Sequence, residues 1–455
     1  MENVLNQHYS FRKLIRYTLP MIVMMLATSV YTIVDGLFIA NTVGDTAFSG
    51  VNFAFPVIYA LGIIGFVFGT GGSALVSKKY GEGKIDEGNR IFTMLIFLLA
   101  VLGILLSIAA YFAIEPILSA LGGEGQMGDY ALEYGKTLSF FLPFVMTMYA
   151  MQSFMVVAGK PGLGFLFSLC AGLTNVIGDA VFIYALDWGV FGAALASGFS
   201  QVVGAVLPIL YLFCSKKTPL RFTKLSFDFK AIWKTVTNGL SEMVSNLSYS
   251  VVGIILNAEL LRHFGENGVS AYGIIGYLGF VFTGVYYGYA SGVAPIISYH
   301  YGAKNEKEVQ SLLSKSLILY TVLSLVMASA AIASARVLSS FFSKDNEALL
   351  SLATSAVRIY SISYYLSGFG LFGSSFFTAL NDGLVSGILS FLKAFVFPIL
   401  FIYVTPLFMG PEGIWSSIVF AELASFLATG IFLLAKNKKY HYFKTKRTTP
   451  IESSK

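Results

Sequence analysis

Charge is scarce in this chain: of its 455 residues only 12% are Asp, Glu, Lys or Arg, about half the share found in soluble domains. That shortage excludes a water-soluble globule and makes a domain count from length meaningless. Cysteine is scarcer still. Cys170 and Cys214 both fall in apolar segments, which leaves neither a disulfide framework nor a CxxC redox pair. The four histidines, His8, His263, His300 and His441, stand too far apart for the spacing of a zinc site. None lies deep in an apolar run, so the metal cluster or Ser–His pair of an intramembrane enzyme has no candidates. The polar stretch up to Tyr17 lacks the short apolar core and small-residue cleavage site of a removed signal peptide, so the first apolar segment is expected to be retained.

Apolar residues are abundant, at 56% of the chain, with a mean hydropathy of +0.73. This composition describes an all-α polytopic membrane protein. Hydropathy predicts twelve spans, near 14–40, 51–77, 91–113, 131–158, 162–186, 190–214, 235–260, 271–299, 311–333, 353–379, 384–407 and 412–436. The one long internal connector, 215–234, is polar and basic. It is expected to link an N-terminal lobe (1–214) to a C-terminal lobe (235–436), with a basic tail over 437–455 and few structural constraints on the linker itself.

The two halves repeat. A single shift of 221 residues pairs Tyr80-Gly81 with Tyr301-Gly302, Leu19 with Leu240, Ser29 with Ser250, Gly44 with Gly265, Gly71 with Gly292, Ala158 with Ala379 and Gly192 with Gly413. One offset held over so much of the chain is the mark of a duplication. Six spans per half give both halves the same orientation, so they should form two six-helix bundles related by a pseudo-twofold axis along the membrane normal. Two bundles facing each other enclose a central cavity, the architecture of a transporter.

Lysine and arginine set the orientation. Arg12, Lys13, Arg16, Lys78, Lys79, Lys84, Arg90, the linker and the tail carry most of them, whereas the opposite side carries only Arg262, Arg336 and Lys344. Both termini are therefore expected in the cytoplasm of a plasma-membrane protein. The net charge of +6 and pI near 9.0 come from this asymmetry, so no nucleic-acid partner is needed to explain them. The basic tail is free to meet anionic membrane lipids.

Against this background a few polar residues stand out. Asp35, in Val34-Asp35-Gly36, lies within the first apolar run, where an unpaired carboxylate costs roughly 2.5–3.5 kcal/mol at the helix centre. Asp179 lies in the fifth span, and Asn175 precedes it by one helical turn on the same face. Topology places Asp35, Asn175, Asp179 and Ser197 of the sixth span at similar depth. Two carboxylates, an amide and a hydroxyl suit a hard cation such as Na+, with Asp35, Asn175 and Asp179 as ligands. They equally suit a proton carrier, because neighbouring carboxylates resist sharing two negative charges. A hydrogen-bonded pair that only packs helices is the third reading.

Twelve spans in a 6+6 repeat, Pro20 early in the first span, Val34-Asp35-Gly36, Lys79-Tyr80-Gly81 and Asn175-xxx-Asp179 together resemble the multidrug and toxic compound extrusion (MATE) family. The resemblance covers nearly the whole chain. It implies a secondary antiporter, without enzymatic activity or a cofactor, that exports small organic cations and other drugs in exchange for H+ or Na+. It also implies that Asp35, Asn175, Asp179 and Ser197 couple the ion. The repeat offset carries Asp35 to Leu256 and Asp179 to Leu400, so the C-terminal lobe lacks a copy of the acids. This resembles the branch of the family whose coupling acids lie in the N-terminal lobe. A single chain is expected to suffice.

The C-terminal lobe holds Glu242, Lys393 and Glu422 within its spans. Glu242 and Lys393 enter from the same side to similar depth and are candidates for an ion pair, with substrate contact as the other role for Glu242. Aromatic and methionine side chains bind flat cations through dispersion and cation–π contacts. Met146, Met148, Tyr149 and Met151 of the fourth span, and Tyr272, Tyr286, Tyr287 and Tyr289 of the eighth, are candidates to line the cavity. A lipid or lipid-linked oligosaccharide flippase of the wider superfamily is the alternative. It would want several cations in the cavity to meet a pyrophosphate, and here acids outnumber them.

Overall fold

A computed structural model describes residues 4–215, 217–343 and 346–443. Among them all regular structure is helical: α1 (Phe11–Thr42), α2 (Asp45–Gly81), α3 (Ile85–Ala120), α4 (Gly125–Ser139), α5 (Leu142–Val157), α6 (Pro161–Asp179), α7 (Gly189–Cys214), α8 (Phe229–Gly302), α9 (Glu306–Ser343), α10 (Glu347–Ser361), α11 (Tyr364–Ala379), α12 (Gly383–Phe391), α13 (Phe397–Met409) and α14 (Gly413–Tyr440). π turns extend α6 over Ala180–Ala185 and join α12 to α13 over Leu392–Val396.

Twelve passes arise from these helices. The fourth pass is α4 and α5 together, bent by 64° where Phe140 and Phe141 interrupt the helix before Pro143. The tenth is α10 followed by α11, and the eleventh is α12 with α13. The long α8 carries two passes that meet at Gly265, whose φ of 63° and ψ of −157° leave the helical region. Gly44, its partner across the repeat, starts α2 at φ 117°. Both turns need a residue without a Cβ.

The structure forms two six-helix bundles. Buried apolar side chains divide into one cluster drawn from both lobes, around Val67, Phe154, Ile296 and Phe377, and separate clusters confined to one lobe each, around Ile58 and Ile114 in the first and Ile275 and Trp415 in the second. The lobes therefore share a core at one end only. That end carries the N-terminus of α1 and the C-terminus of α2, and beyond it each lobe keeps a core of its own.

Glycines make the shared end possible. A Cβ on Gly71 would lie 2.0 Å from the Thr235 carbonyl, on Gly239 2.1 Å from that of Val67, on Gly81 1.9 Å from that of Tyr299, and on Gly302 2.1 Å from that of Lys78. Backbones thus touch directly, as small-residue interfaces allow. Ser298 Oγ donates to the Ala74 carbonyl at 2.5 Å, and Asn381 Nδ2 reaches the same oxygen at 3.3 Å.

The connector departs from expectation. Helix begins within it, because Asp228 caps α8 through Lys230 N and Ala231 N. It is also bound rather than loose. Thr218 and Leu220 are fully buried, and Asn89 of α3 donates to the Pro219 carbonyl and accepts from Arg221 N. Of the basic tail expected over 437–455, α14 continues to Tyr440, and residues beyond 443 lie outside those described.

Candidate functional site

The two apolar stretches that carry acids end up side by side. Gly178 of α6 packs against Ala196 of α7, where an added Cβ would fall 2.8 Å from the alanine methyl. This contact brings Asn175 Nδ2 to 3.3 Å from Ser197 Oγ. Asp35 on α1 comes within hydrogen-bonding reach of the Asp179 and Asn175 side chains. The structure thus brings together all four residues singled out for ion coupling. Asp179 is fully buried and Asn175 nearly so.

What the site lacks internally is a positive charge. Asp35 Oδ1, Asn175 Oδ1 and both oxygens of Asp179 are buried without a hydrogen-bond partner. An unsatisfied buried carboxylate is far more costly than a neutral polar group. Two of them in contact require a positive charge between them, and a proton or a small hard cation fits this all-oxygen donor set.

Tyr134 of α4 completes the wall. Its hydroxyl hydrogen-bonds Ser197 and lies within electrostatic reach of Asp35 and Asp179, and the residue is 2% exposed. Sequence reasoning passed over it. It lies in the amphipathic, Gly- and acid-containing α4, which carries no apolar run to make a polar atom conspicuous. Like the Ser197 hydroxyl it meets, its hydroxyl can donate or accept as the charge changes.

The second group of candidates divides. Glu242 and Tyr287, both on α8, hydrogen-bond each other through their side chains. Asn246 donates to the Glu242 carbonyl at 2.7 Å and accepts from Tyr59 of the opposite lobe at 3.2 Å. Tyr59 meets Tyr149 edge-on, and Tyr149 stacks on Phe66 with centroids 4.1 Å apart. Glu242, Tyr287 and Tyr149 thus belong to one half-buried aromatic and acidic patch at the lobe boundary, joined by Tyr59.

The remaining cavity candidates are corrected by burial. Met146 is fully buried because Gly65 of α2 packs on its backbone, and Met148 and Met151 are likewise enclosed, Met148 against Gly204. Tyr286 and Tyr289 point into the C-terminal lobe, to Ser324 and Ser316 respectively. Only Tyr272 among these retains partial exposure. Lys393 does not pair with Glu242 either. It sits on the π turn, whose extra residue per turn redirects it, and its ammonium binds both oxygens of Glu422 on α14. Lys136 pairs with Glu115 at 2.8 Å.

A buried carboxylate pair inside one of two repeated bundles narrows the family. The MatE family model matches residues 20–181 and matches again over 242–404. The chain belongs to the MATE family. The double match falls once on each lobe, as the repeat requires. The multidrug export protein MepA of Staphylococcus haemolyticus is 24% identical over 431 residues, covering 94% of each chain. Among solved structures, MATE crystallised in complex with MaL6 aligns with a TM-score of 0.89 at 22% identity, over 96% of this chain and all of that one. A multidrug resistance MATE family transporter in its outward-facing conformation aligns with a TM-score of 0.89 at 22% identity, over 98% and 99% of the two chains. As a member of the MATE family this chain is a multi-pass membrane transporter and not an enzyme.

Proposed function

We propose that this transporter is a secondary antiporter that exports organic cations and other drugs in exchange for H+ or Na+ by alternating access. The observation that carries the reading is the cluster of unsatisfied buried oxygens at Asp35, Asn175 and Asp179. Ser197 and Tyr134 complete it. One positive charge taken up there removes the repulsion between the carboxylates and lets α1 pack more closely on α6 and α7. Pro20 leaves α1 short of a backbone hydrogen bond near the shared end of the lobes, so the helix can bend in response. Ion and drug then compete for one conformational equilibrium.

Glu242, Tyr287, Tyr149 and Tyr59 supply the acidic and aromatic surface that a flat organic cation prefers. The export of many drugs by the staphylococcal MepA relatives supports the same substrate class here. The basic residues around the shared end support a cytoplasmic position for that end, both termini and the 215–234 linker, with a cleft between the lobes that opens outward. Lys393 is neutralised by Glu422, which takes away the cavity cation that a flippase would offer to a phosphate.

The experiment is drug Kd against pH and Na+ for the purified chain. Asp35→Asn and Asp179→Asn each remove the linkage between ion and drug, whereas Glu242→Gln weakens drug binding and preserves it. Linkage lost in Glu242→Gln and kept in Asp35→Asn would assign coupling to the other lobe and overturn the reading.

A further inference from the structure

The repeat is broken at one acid on the closed face. Glu87 and Glu308 are equivalent by the 221-residue offset, each in the first turn of the helix that follows a shared-end glycine. Glu87 is satisfied inside its own lobe, by Lys79 at 2.6 Å, and its side chain is 39% exposed. The residue equivalent to Lys79 is His300, which makes no ion pair with Glu308. Glu308 turns instead to the other lobe. Its Oε1 accepts from the Tyr9 backbone N–H at 2.9 Å, and its Oε2 lies 2.7 Å from His8 Nδ1. Lys315, two turns along α9, donates to the Tyr9 carbonyl. Glu308 is only 6% exposed, so a weakly held solvent contact is excluded.

The segment so held, residues 4–10, is fixed at its other end to the N-terminal lobe. Val4 rests against Gly159 in the turn between α5 and α6, and the Tyr9 hydroxyl donates to the Val4 carbonyl at 2.8 Å. Leu5 and Tyr9 are sealed into the core that both lobes share. Ser10 then caps α1. The segment is a strap leading from one lobe to the other across the end where the cleft is shut.

We propose that Glu308 is a gating residue of the transport cycle. With Lys315 it clasps the Tyr9 backbone and holds this end of the cleft closed, and release of the strap is a step in opening it. The proposal rests on the alternating-access reading for its role, but not for its test. Ala74 is buried in the lobe seam, and Ala74→Cys in a chain with Cys170→Ala and Cys214→Ala reports opening through its reaction with a polar maleimide in detergent. Glu308→Ala raises the labelling rate roughly tenfold, the population change produced by about 1.4 kcal/mol. Glu308→Gln, whose amide oxygen still accepts from Tyr9, gives a smaller rise. Glu87→Ala, which breaks only an intralobe pair, leaves the rate unchanged. Glu308→Gln keeps the test valid if Glu308→Ala fails to fold. Equal labelling of parent and Glu308 variants, or an equal rise in Glu87→Ala, overturns the proposal. A parent chain that exports no drug, yet whose labelling rises in Glu308→Ala, overturns the transport reading and supports the gate.

Discussion

The two lobes share a backbone and differ in how they treat buried charge. Gly44 and Gly265, Gly189 and Gly410, and Gly83 and Lys304 are repeat partners, and all adopt positive φ. In the N-terminal lobe, Asp35 and Asp179 face each other with oxygens unsatisfied. Their counterparts, Leu256 and Leu400, are apolar. The C-terminal lobe has its own buried charges, but Lys393 and Glu422 neutralise each other, and their counterparts are Gly172 and Gln201. Duplication therefore preserved the turns that determine topology while the chemistry diverged. One lobe leaves its buried acids without a counter-charge and the other supplies one internally.

The sharpest way to break this comparison is to remove the open site. On the proposed mechanism, Asp35→Asn and Asp179→Asn each reduce gradient-driven drug export to background in vesicles while leaving insertion in the membrane intact. Export with the pH and Na+ gradients collapsed separately identifies the ion. Export by a well-expressed Asp35→Asn chain at the parent rate would end the asymmetry.

The closed pair should fail differently. Lys393→Met strands Glu422, and loss of one partner of a buried pair costs about 3–5 kcal/mol. Thermal unfolding in detergent should register a clear fall, and the double variant Lys393→Met/Glu422→Met should recover most of it. Dependence of drug binding on pH or Na+ should survive in any variant that folds.

How far the sequence announced these features varies by residue. The spans, the repeat and the three coupling candidates on α1 and α6 were legible because carboxylates and amides contrast with long apolar runs. Tyr134 was not, since a tyrosine in an amphipathic segment gives no sign of its depth. The partner of Lys393 was hidden by a π turn, which alters the helix face locally and leaves no periodicity to read. Met146 misled because one face of a helix in a bundle cannot be assigned to cleft or core from residue type. The binding of the 215–234 connector to Asn89 depends on a contact between residues far apart in the chain.

A finer test of the open site is Tyr134→Phe. It removes the hydroxyl that hydrogen-bonds Ser197, worth about 1 kcal/mol, and should weaken the ion's effect on drug Kd severalfold without abolishing it. An unchanged pH and Na+ dependence would reduce Tyr134 to packing.

The smallest effect concerns a carboxylate that the C-terminal lobe alone carries on the closed face, Asp382, where the repeat has Pro161. Burial raises its pKa, but the Tyr440 hydroxyl, which donates to it at 2.6 Å, and the Lys439 ammonium outweigh this and hold it below the usual carboxylate value. Such a group stabilises the fold above its unfolded pKa, near 3.9, and that contribution is lost as pH falls through the lower folded value. Tyr440→Phe should therefore lower Tm slightly at pH 7, by the equivalent of about 1 kcal/mol, with the difference from the parent shrinking on acidification. A difference that grows towards low pH would contradict the assignment.

The glycine seam has a mechanical consequence. Where Gly71 meets Thr235 and Gly81 meets Tyr299, main chain lies on main chain, so at these contacts no side chain must change rotamer before the surfaces separate. Such a joint behaves like two smooth plates, with little friction and little memory of position. Besides the apolar core that both lobes share, a few discrete polar bonds resist parting, at Ala74 with Ser298 and Asn381 and at Glu308 with the strap. A methyl group added at Gly81 would act as a permanent wedge, and the molecule would lose its closed position without losing its fold.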